Sequence, residues 1–342
     1  MIQPDLPSDL NDTDGVCAAQ CRLPPAMKLP NFFIVGAPKA GTTSLYEYLG
    51  QHPRIYVSPL KEPYYFASEV RAEHFSEAER PRIERELRSL AEYLRGDLRA
   101  KRFGGLVSSW EDYLKLFGNV SEEIAIGEAT PHYLWSESAP GNIAARIPRA
   151  RIIISLRNPV ERAFSDYLHM LSVGAIRRSF RDQIEANLRC TSKRIGLDWP
   201  FLEYGHYHEQ LLRYFRVFPR EQIHISFYED LEHAPQALIA KLYTFLGVDA
   251  FHADLSQRHN EPRVPRSGWA ASLLKAYARM PHLLRFAPSP LRPRLRSLVL
   301  RPRASLRMLP ADRAFLIDYY RDEIGKLAAL LDRDLSAWLE GS

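Results

Sequence analysis

The chain is poor in cysteine: three residues among 342, too few for a disulfide scaffold. Cys17 and Cys21 lie in a polar leader and Cys190 far downstream, with no histidine beside the first pair. They read as idle thiols of a reducing compartment. Long apolar runs are also missing. None approaches the roughly 18 residues of a membrane span. Residues 1–27 carry acids in place of a basic start and an apolar stretch, which argues against a secretory signal. The expectation is a soluble, cytoplasmic protein without a transmembrane segment.

Acids are absent from one long stretch. Between Pro262 and Ala311 there is no Asp or Glu but eleven Lys or Arg, while the rest of the chain carries 35 bases against 41 acids. Two readings stay open. The stretch forms a surface for an anionic acceptor or for membrane headgroups, a peripheral contact, or it is a solvated segment paired with carboxylates elsewhere. No zinc-finger spacing, helix-turn-helix pattern or aromatic-basic RNA motif accompanies it, so nucleic acid is not an expected partner.

What is present suits a globular enzyme-sized chain. A hydrophobic share of 46% with 25% charged residues excludes a disordered or fibrous chain. Residues 1–30, with four Asp and no periodicity, read as a loose leader. The apolar runs Phe32–Val35, Ile152–Leu156 and Ile223–Phe227 have the length and continuity of buried parallel strands. Helical spacing follows each, over 42–50, after Pro159, and through Leu246. Further helices are expected over 76–102 and 312–331. Strands alternating with helices predict an α/β fold with a central, mainly parallel sheet flanked by helices in three layers. Residues 31–342 read as a single domain, with 262–311 an arginine-rich helical segment within it.

Two segments carry chemistry. Gly36-Ala37-Pro38-Lys39-Ala40-Gly41-Thr42-Thr43-Ser44 lies between a strand and a helix. There a glycine-bearing loop offers backbone N–H groups to a phosphate, and the helix dipole adds about half a positive charge. It departs from G-x-x-x-x-G-K-[ST]: Thr42 stands where that motif has lysine, and the cation has moved forward to Lys39. No apolar strand ends in an aspartate suited to magnesium. The second strand ends instead in Arg157, a residue type that reads a phosphate bidentately. Two anion-binding groups, each at a strand's carboxyl end, predict a ligand with two separate phosphates.

These residues resemble the sulfotransferases that use 3′-phosphoadenosine 5′-phosphosulfate (PAPS). Phe33–Leu45 is similar to their 5′-phosphosulfate loop, and Leu156–Tyr167 to their 3′-phosphate motif R-x-P-x-x-R-x-x-S. Similarity continues through Lys61–Phe66, Gly127–Pro131, Gly205–Tyr207, Tyr228–Leu231, Phe245–Gly247 and Leu335–Trp338, so it spans about residues 31–340. The pattern is nearest the branch with glycosaminoglycan sulfotransferases and their bacterial relatives. The resemblance implies a P-loop-like fold and PAPS as co-substrate, with no metal required. Lys39, Ala40, Gly41, Thr42, Thr43 and Ser44 would bind the 5′-phosphosulfate, and Arg157 and Ser165 the 3′-phosphate. Lys39 would also stabilise the leaving phosphate. Glu62 would be the general base toward a hydroxyl, or an amine, of a carbohydrate-type or other small acceptor. Its competing role is an ion pair with Lys61. Glu128 is expected to orient a lysine or the acceptor hydroxyl, and His132 to touch the acceptor. Where some relatives carry lysine after the matching glutamate this chain has Ala129, leaving Lys39 to act more alone or with Lys61. Arg263, with Arg266, lies where relatives have a basic loop over the nucleotide.

His206-x-His208 has metal-pair spacing but no third ligand nearby, and reads as two helix-surface histidines. Two rival functions stay open: a nucleotide-dependent phosphotransferase, which magnesium-dependent ATP binding would reveal, and a non-catalytic anion-binding module, which would bind without turnover.

Overall fold

A computed structural model of the chain describes residues 28–191, 195, 199–256, 263–265, 300–302 and 306–340. The leader 1–27 and most of the arginine-rich stretch 262–311 lie outside the described residues.

The strands are β1 (Phe32–Gly36), β2 (Ile55–Val57), β3 (Leu60–Lys61), β4 (Arg102–Phe103), β5 (Ala125–Ala129), β6 (Arg151–Leu156), β7 (Ile223–Phe227), β8 (Arg263–Pro265) and β9 (Leu300–Pro302). The helices are α1 (Thr42–Leu49), α2 (Arg80–Leu94), α3 (Trp110–Lys115), α4 (Ala139–Arg146), α5 (Pro159–Ser172), α6 (Phe180–Arg189), α7 (Tyr207–Phe215), α8 (Tyr228–His233), α9 (Pro235–Leu246) and α10 (Pro310–Leu331). Five strands pair in the order β2-β5-β1-β6-β7, all parallel. The predicted α/β class and parallel sheet are what the chain forms.

The apolar runs follow from burial on both faces of the sheet. Phe33, Val35, Ile152, Ile154 and Leu156 face a core built with α5, α7 and α10, through Val160, Leu211, Tyr214 and Leu316. Phe32, Ile34 and Ile153 point the other way, onto α1 and α9 through Leu45, Leu49, Leu238 and Leu242. The period-2 alternation of a strand divides one run between two cores. Each such side chain contributes about 1.5–3 kcal/mol by leaving water.

The connection order places the site. From central β1 the chain passes to edge strand β2 and later returns to both of β1's neighbours, β5 and β6. The order in which strands are added therefore changes side at β1, and ligands of open α/β sheets bind beyond the strand ends at such a switch. The β1–β6 register shifts between Ile34 and Gly36, a bulge that bends the strand as it enters the loop. β3 and β4 form a separate parallel pair, Leu60 opposite Arg102 and Lys61 opposite Phe103. The helix expected over 76–102 is shorter, ending at Leu94, because Arg102 and Phe103 are claimed by that pairing. No helix among the described residues is long and apolar enough to cross a membrane.

Candidate active site

Beyond the ends of β1 and β6 lies a cavity of about 510 Å³. One side is the β1–α1 loop, where Lys39, Gly41, Thr42, Thr43 and Ser44 line it together. Gly41 caps α1 with φ 84° and no side-chain cap, so the first-turn N–H groups have neither cap nor helical partner and open on the cavity. A Cβ on Gly41 would meet the Leu231 side chain at 2.5 Å, and one on Gly36 the Leu134 side chain at 2.4 Å. Lys39 is itself left-handed, φ 68°, and alternating left- and right-handed residues turn successive amides toward one point. The loop is tied to β6: Ala37 N–H donates to the Ser155 carbonyl at 2.6 Å, and Ser155 Oγ donates to the Ala40 carbonyl at 2.7 Å. Ala40 is thus buried in the fastening and does not line the cavity.

Arg157 enters from the end of β6. Its Nη1 donates to the Lys39 carbonyl at 3.1 Å and its guanidinium lies 4.2 Å from the Tyr228 ring centre. The loop that carries it is braced by Asn158, whose Oδ1 accepts from Val160 N–H and whose Nδ2 donates to the Trp338 carbonyl. Ser165, expected beside Arg157 on the 3′-phosphate, is buried on α5, 1% exposed, and does not line the cavity. β8, which carries Arg263, runs alongside α5, while the Arg263 side chain and Arg266 lie outside the described residues.

The other side of the cavity is a side-chain network. Lys61 Nζ donates to Glu62 Oε1 at 2.6 Å, with the lysine 2% exposed. Tyr64 OH lies 3.2 Å from Glu62 Oε2 and 2.8 Å from His132 Nδ1. Glu62 and Tyr64 both hold left-handed backbone, φ 65° and 57°, strain of the kind that gathers at functional sites. The Glu62 carboxyl resists ionisation through burial, yet Lys61, His132 and the Tyr64 hydroxyl together push it down to about 2. It is a carboxylate throughout the physiological range. Burial lowers the His132 imidazole below the ordinary histidine value, so the ring is neutral. Lys61, offered by the sequence as a second cation for the leaving group, is committed to Glu62.

Glu128 corrects an expectation. Expected to orient a lysine or the acceptor hydroxyl, it sits 1% exposed behind the cavity and lines none of it. Tyr113 and Tyr133 hydroxyls donate to Oε1 at 3.0 Å each, and Thr130 Oγ1 to Oε2 at 2.6 Å. Three hydroxyls hold the carboxyl in place, away from the cavity. Burial raises it to about 7 despite them.

Asp166, His169 and Tyr228, to which the sequence assigns no role, complete the walls with Phe103 and Trp199. Asp166 and His169 stand three apart on α5, one face of a helix, a spacing visible in the sequence. Phe103 is 59% exposed at the rim, and only the β3–β4 pairing brings it there. Trp199 Nε1 donates to Asp166 Oδ2 at 3.0 Å, and Asp166 pairs with buried Arg162 at 3.4 Å. A second cavity of about 650 Å³ is walled by Glu69, Glu137, Glu203 and Glu209 among others. Four carboxylates repel phosphate, so the smaller cavity is the candidate site. No cluster of three or more metal-ligating side chains occurs among the described residues.

A strand-loop-helix anion cradle faces the Glu62 carboxylate across the cavity, at the end of a five-stranded parallel sheet, an arrangement suited to group transfer from an anionic donor. The chain belongs to the sulfotransferase family, whose sequence profile matches residues 30–253, and it is an enzyme of that family. It is 28% identical over 226 residues to human bifunctional heparan sulfate N-deacetylase/N-sulfotransferase 3, covering 65% of this chain and 22% of that protein. It is 26% identical over 279 residues to human carbohydrate sulfotransferase 15, covering 64% of this chain and 44% of that one. The chain thus spans less than half the length of these relatives. Among solved structures, a sulfotransferase from Alicyclobacillus acidocaldarius is 28% identical with a TM-score of 0.64, covering 92% of this chain and all of that one.

Proposed function

We propose that the protein transfers the sulfuryl group of PAPS to a hydroxyl of a carbohydrate-type or other small acceptor. The observation that carries this reading is the opposition, across one cavity, of an anion cradle (Lys39, Gly41–Ser44, Arg157) and an ionised carboxylate (Glu62). Family membership and likeness to carbohydrate sulfotransferases support it.

In this reading the α1 amides with Thr42, Thr43 and Ser44 hold the 5′-phosphate, and Arg157 the 3′-phosphate. Lys39 neutralises charge growing on the bridging oxygen, a preorganised electrostatic contribution. Glu62 receives the acceptor proton. A carboxylate held at about 2 is a weak base toward a free alcohol. It becomes an adequate one as the acceptor oxygen bonds to sulfur and its own pKa collapses. Positive residues alone neutralise the leaving phosphate, so the reading requires no metal. Cytoplasmic localisation, and an anionic acceptor or membrane surface against the 262–311 segment, remain parts of the proposal. For that segment, replacing Arg292, Arg294, Arg296, Arg301 and Arg303 with alanine raises acceptor KM and spares PAP binding.

Calorimetric titration with PAP, the desulfated product, beside ATP with magnesium tests the donor. Micromolar PAP binding, weakened about ten- to a hundred-fold in Arg157→Ala, is the expected result. Binding of ATP but not PAP would hand the site to a phosphotransferase, and silence from both to a module without this ligand.

A further inference from the structure

The acceptor-side network continues past Glu62. Tyr64 OH is within hydrogen-bond reach of both Glu62 Oε2, at 3.2 Å, and His132 Nδ1, at 2.8 Å. Its one proton serves one of them at a time. The hydroxyl therefore bridges a carboxylate and an imidazole that are 70 positions apart in the chain. The ring is held in place by Tyr64, Trp199 and Tyr204, at centroid distances of 5.3, 5.8 and 5.2 Å. It is 7% exposed and lines the cavity, yet its Nε2 finds no hydrogen-bond partner among the described residues. One nitrogen faces the relay hydroxyl and the other has no fixed partner. The large majority of buried side-chain polar atoms are hydrogen-bonded, so a buried nitrogen without a partner calls for an explanation.

We propose that His132 is a positioning residue for the general base: it receives, through Tyr64, the proton that Glu62 takes from the acceptor. This rests on the reading of Glu62 as the base. As the acceptor oxygen bonds to sulfur, its O–H bond breaks and the proton binds Glu62 Oε2. That proton passes to the Tyr64 oxygen while the Tyr64 proton passes to His132 Nδ1, restoring the carboxylate and leaving an imidazolium. Once product has left, the Nδ1 proton returns through the Tyr64 hydroxyl to Glu62, which is 26% exposed, and passes from there to water, so the ring ends in its starting tautomer. No oxidant or further reactant enters. The direction is favourable because Lys61 holds Glu62 ionised, so the carboxylate is a poor resting place for a proton. Around the ring, Glu62 and Asp166 favour the imidazolium, while Lys61, Arg162 and burial oppose it. Tyr64 and Tyr204 are neutral neighbours, held well above the ordinary phenol range.

The relay fixes two observables. The resting ring is neutral with its proton on Nε2, and the chemical step needs it neutral. The rate therefore falls as pH drops through the ring's own pKa, which lies below the ordinary histidine range, while Glu62 stays ionised. The experiment pairs imidazole nitrogen NMR of the full chain with single-turnover PAP formation from PAPS, water serving as acceptor, across pH. In the wild type the ring is expected as the Nε2–H tautomer near neutral pH, and Tyr64→Phe removes that preference. His132→Gln is expected to slow turnover about ten-fold or more and erase the acid limb, and with Tyr64→Phe added to slow it little further. A ring protonated on Nδ1 near neutral pH would overturn the relay, as would an acid limb kept in His132→Gln or additive losses in the double variant. PAP calorimetry separates the two failures. Intact PAP binding with any of those results sinks the relay alone, and absent PAP binding sinks the co-substrate reading.

Discussion

The two sides of the cavity are made of different material. The phosphate side is backbone: a loop of nine consecutive residues whose amides are aimed by Gly41 and Lys39 and fastened to β6 through Ser155. The acceptor side is side chains from separate places, Lys61 to Tyr64, His132 and Trp199, joined by hydrogen bonds and ring contacts. Backbone geometry survives most side-chain changes. A side-chain network changes with each substitution, so it is where acceptor choice and proton handling can differ between relatives.

Breaking the comparison starts where the two sides meet the reacting atoms. Lys39→Ala is expected to lower kcat on the order of 10²–10³-fold, the scale of one lost electrostatic donor, with PAP binding much less affected. An equal loss in PAP affinity would show that Lys39 only binds. Glu62→Gln should lower kcat by about 10²-fold and leave folding intact, because the amide keeps the shape. Full activity in that variant removes Glu62 from the chemistry. Arg157→Ala weakens PAP about ten- to a hundred-fold, the worth of a charge-assisted contact of roughly 1.5–3 kcal/mol. Unchanged titration would mean that Arg157 serves only its Lys39 and Tyr228 contacts.

The smallest effect sharpens the contrast within the acceptor side, between two glutamates. Glu62 is pushed down to about 2, so its stabilisation is present above its ordinary 4.5 and lost as pH falls through about 2. Glu128 is raised to about 7 from 4.5. Its folded carboxyl holds the proton more tightly than the unfolded one, so that stabilisation is complete below about pH 4.5 and lost on rising through about 7. The whole swing is about 3 kcal/mol. Glu128→Gln should flatten stability over that window, read by urea unfolding at about pH 5 and about pH 8. A wild type equally stable at both ends would contradict the burial argument.

The same division explains what could be read in the sequence. The phosphate loop, β1, β6, β7, the last helix and Arg157 are local patterns, and each is found where its residues predict. β3 and β4 have two residues each, too short for any periodicity, so no pattern singles out Phe103 from its neighbours for the rim. Glu128 lies in a segment like those of relatives, but its closed hydroxyl cage depends on Tyr113 and Tyr133 arriving from elsewhere. Spacing on α5 could not tell that Ser165 lies under the protein and Asp166 on the cavity. Two adjacent helical residues face about 100° apart, and only packing decides which is wet.

Three of the five non-glycine residues with positive φ among the described residues, Lys39, Glu62 and Tyr64, belong to this one site. Their chemistry is therefore written over a conformational constraint that acts before any substrate arrives. Anyone retargeting the enzyme by randomising positions 62 and 64 will search a reduced alphabet. Glycine, asparagine and aspartate fit such backbone readily, whereas valine, isoleucine and threonine meet a penalty of about 1–2 kcal/mol per residue. Variants at these positions will be sorted first by whether the loop holds its shape, and only the survivors by which acceptor they prefer.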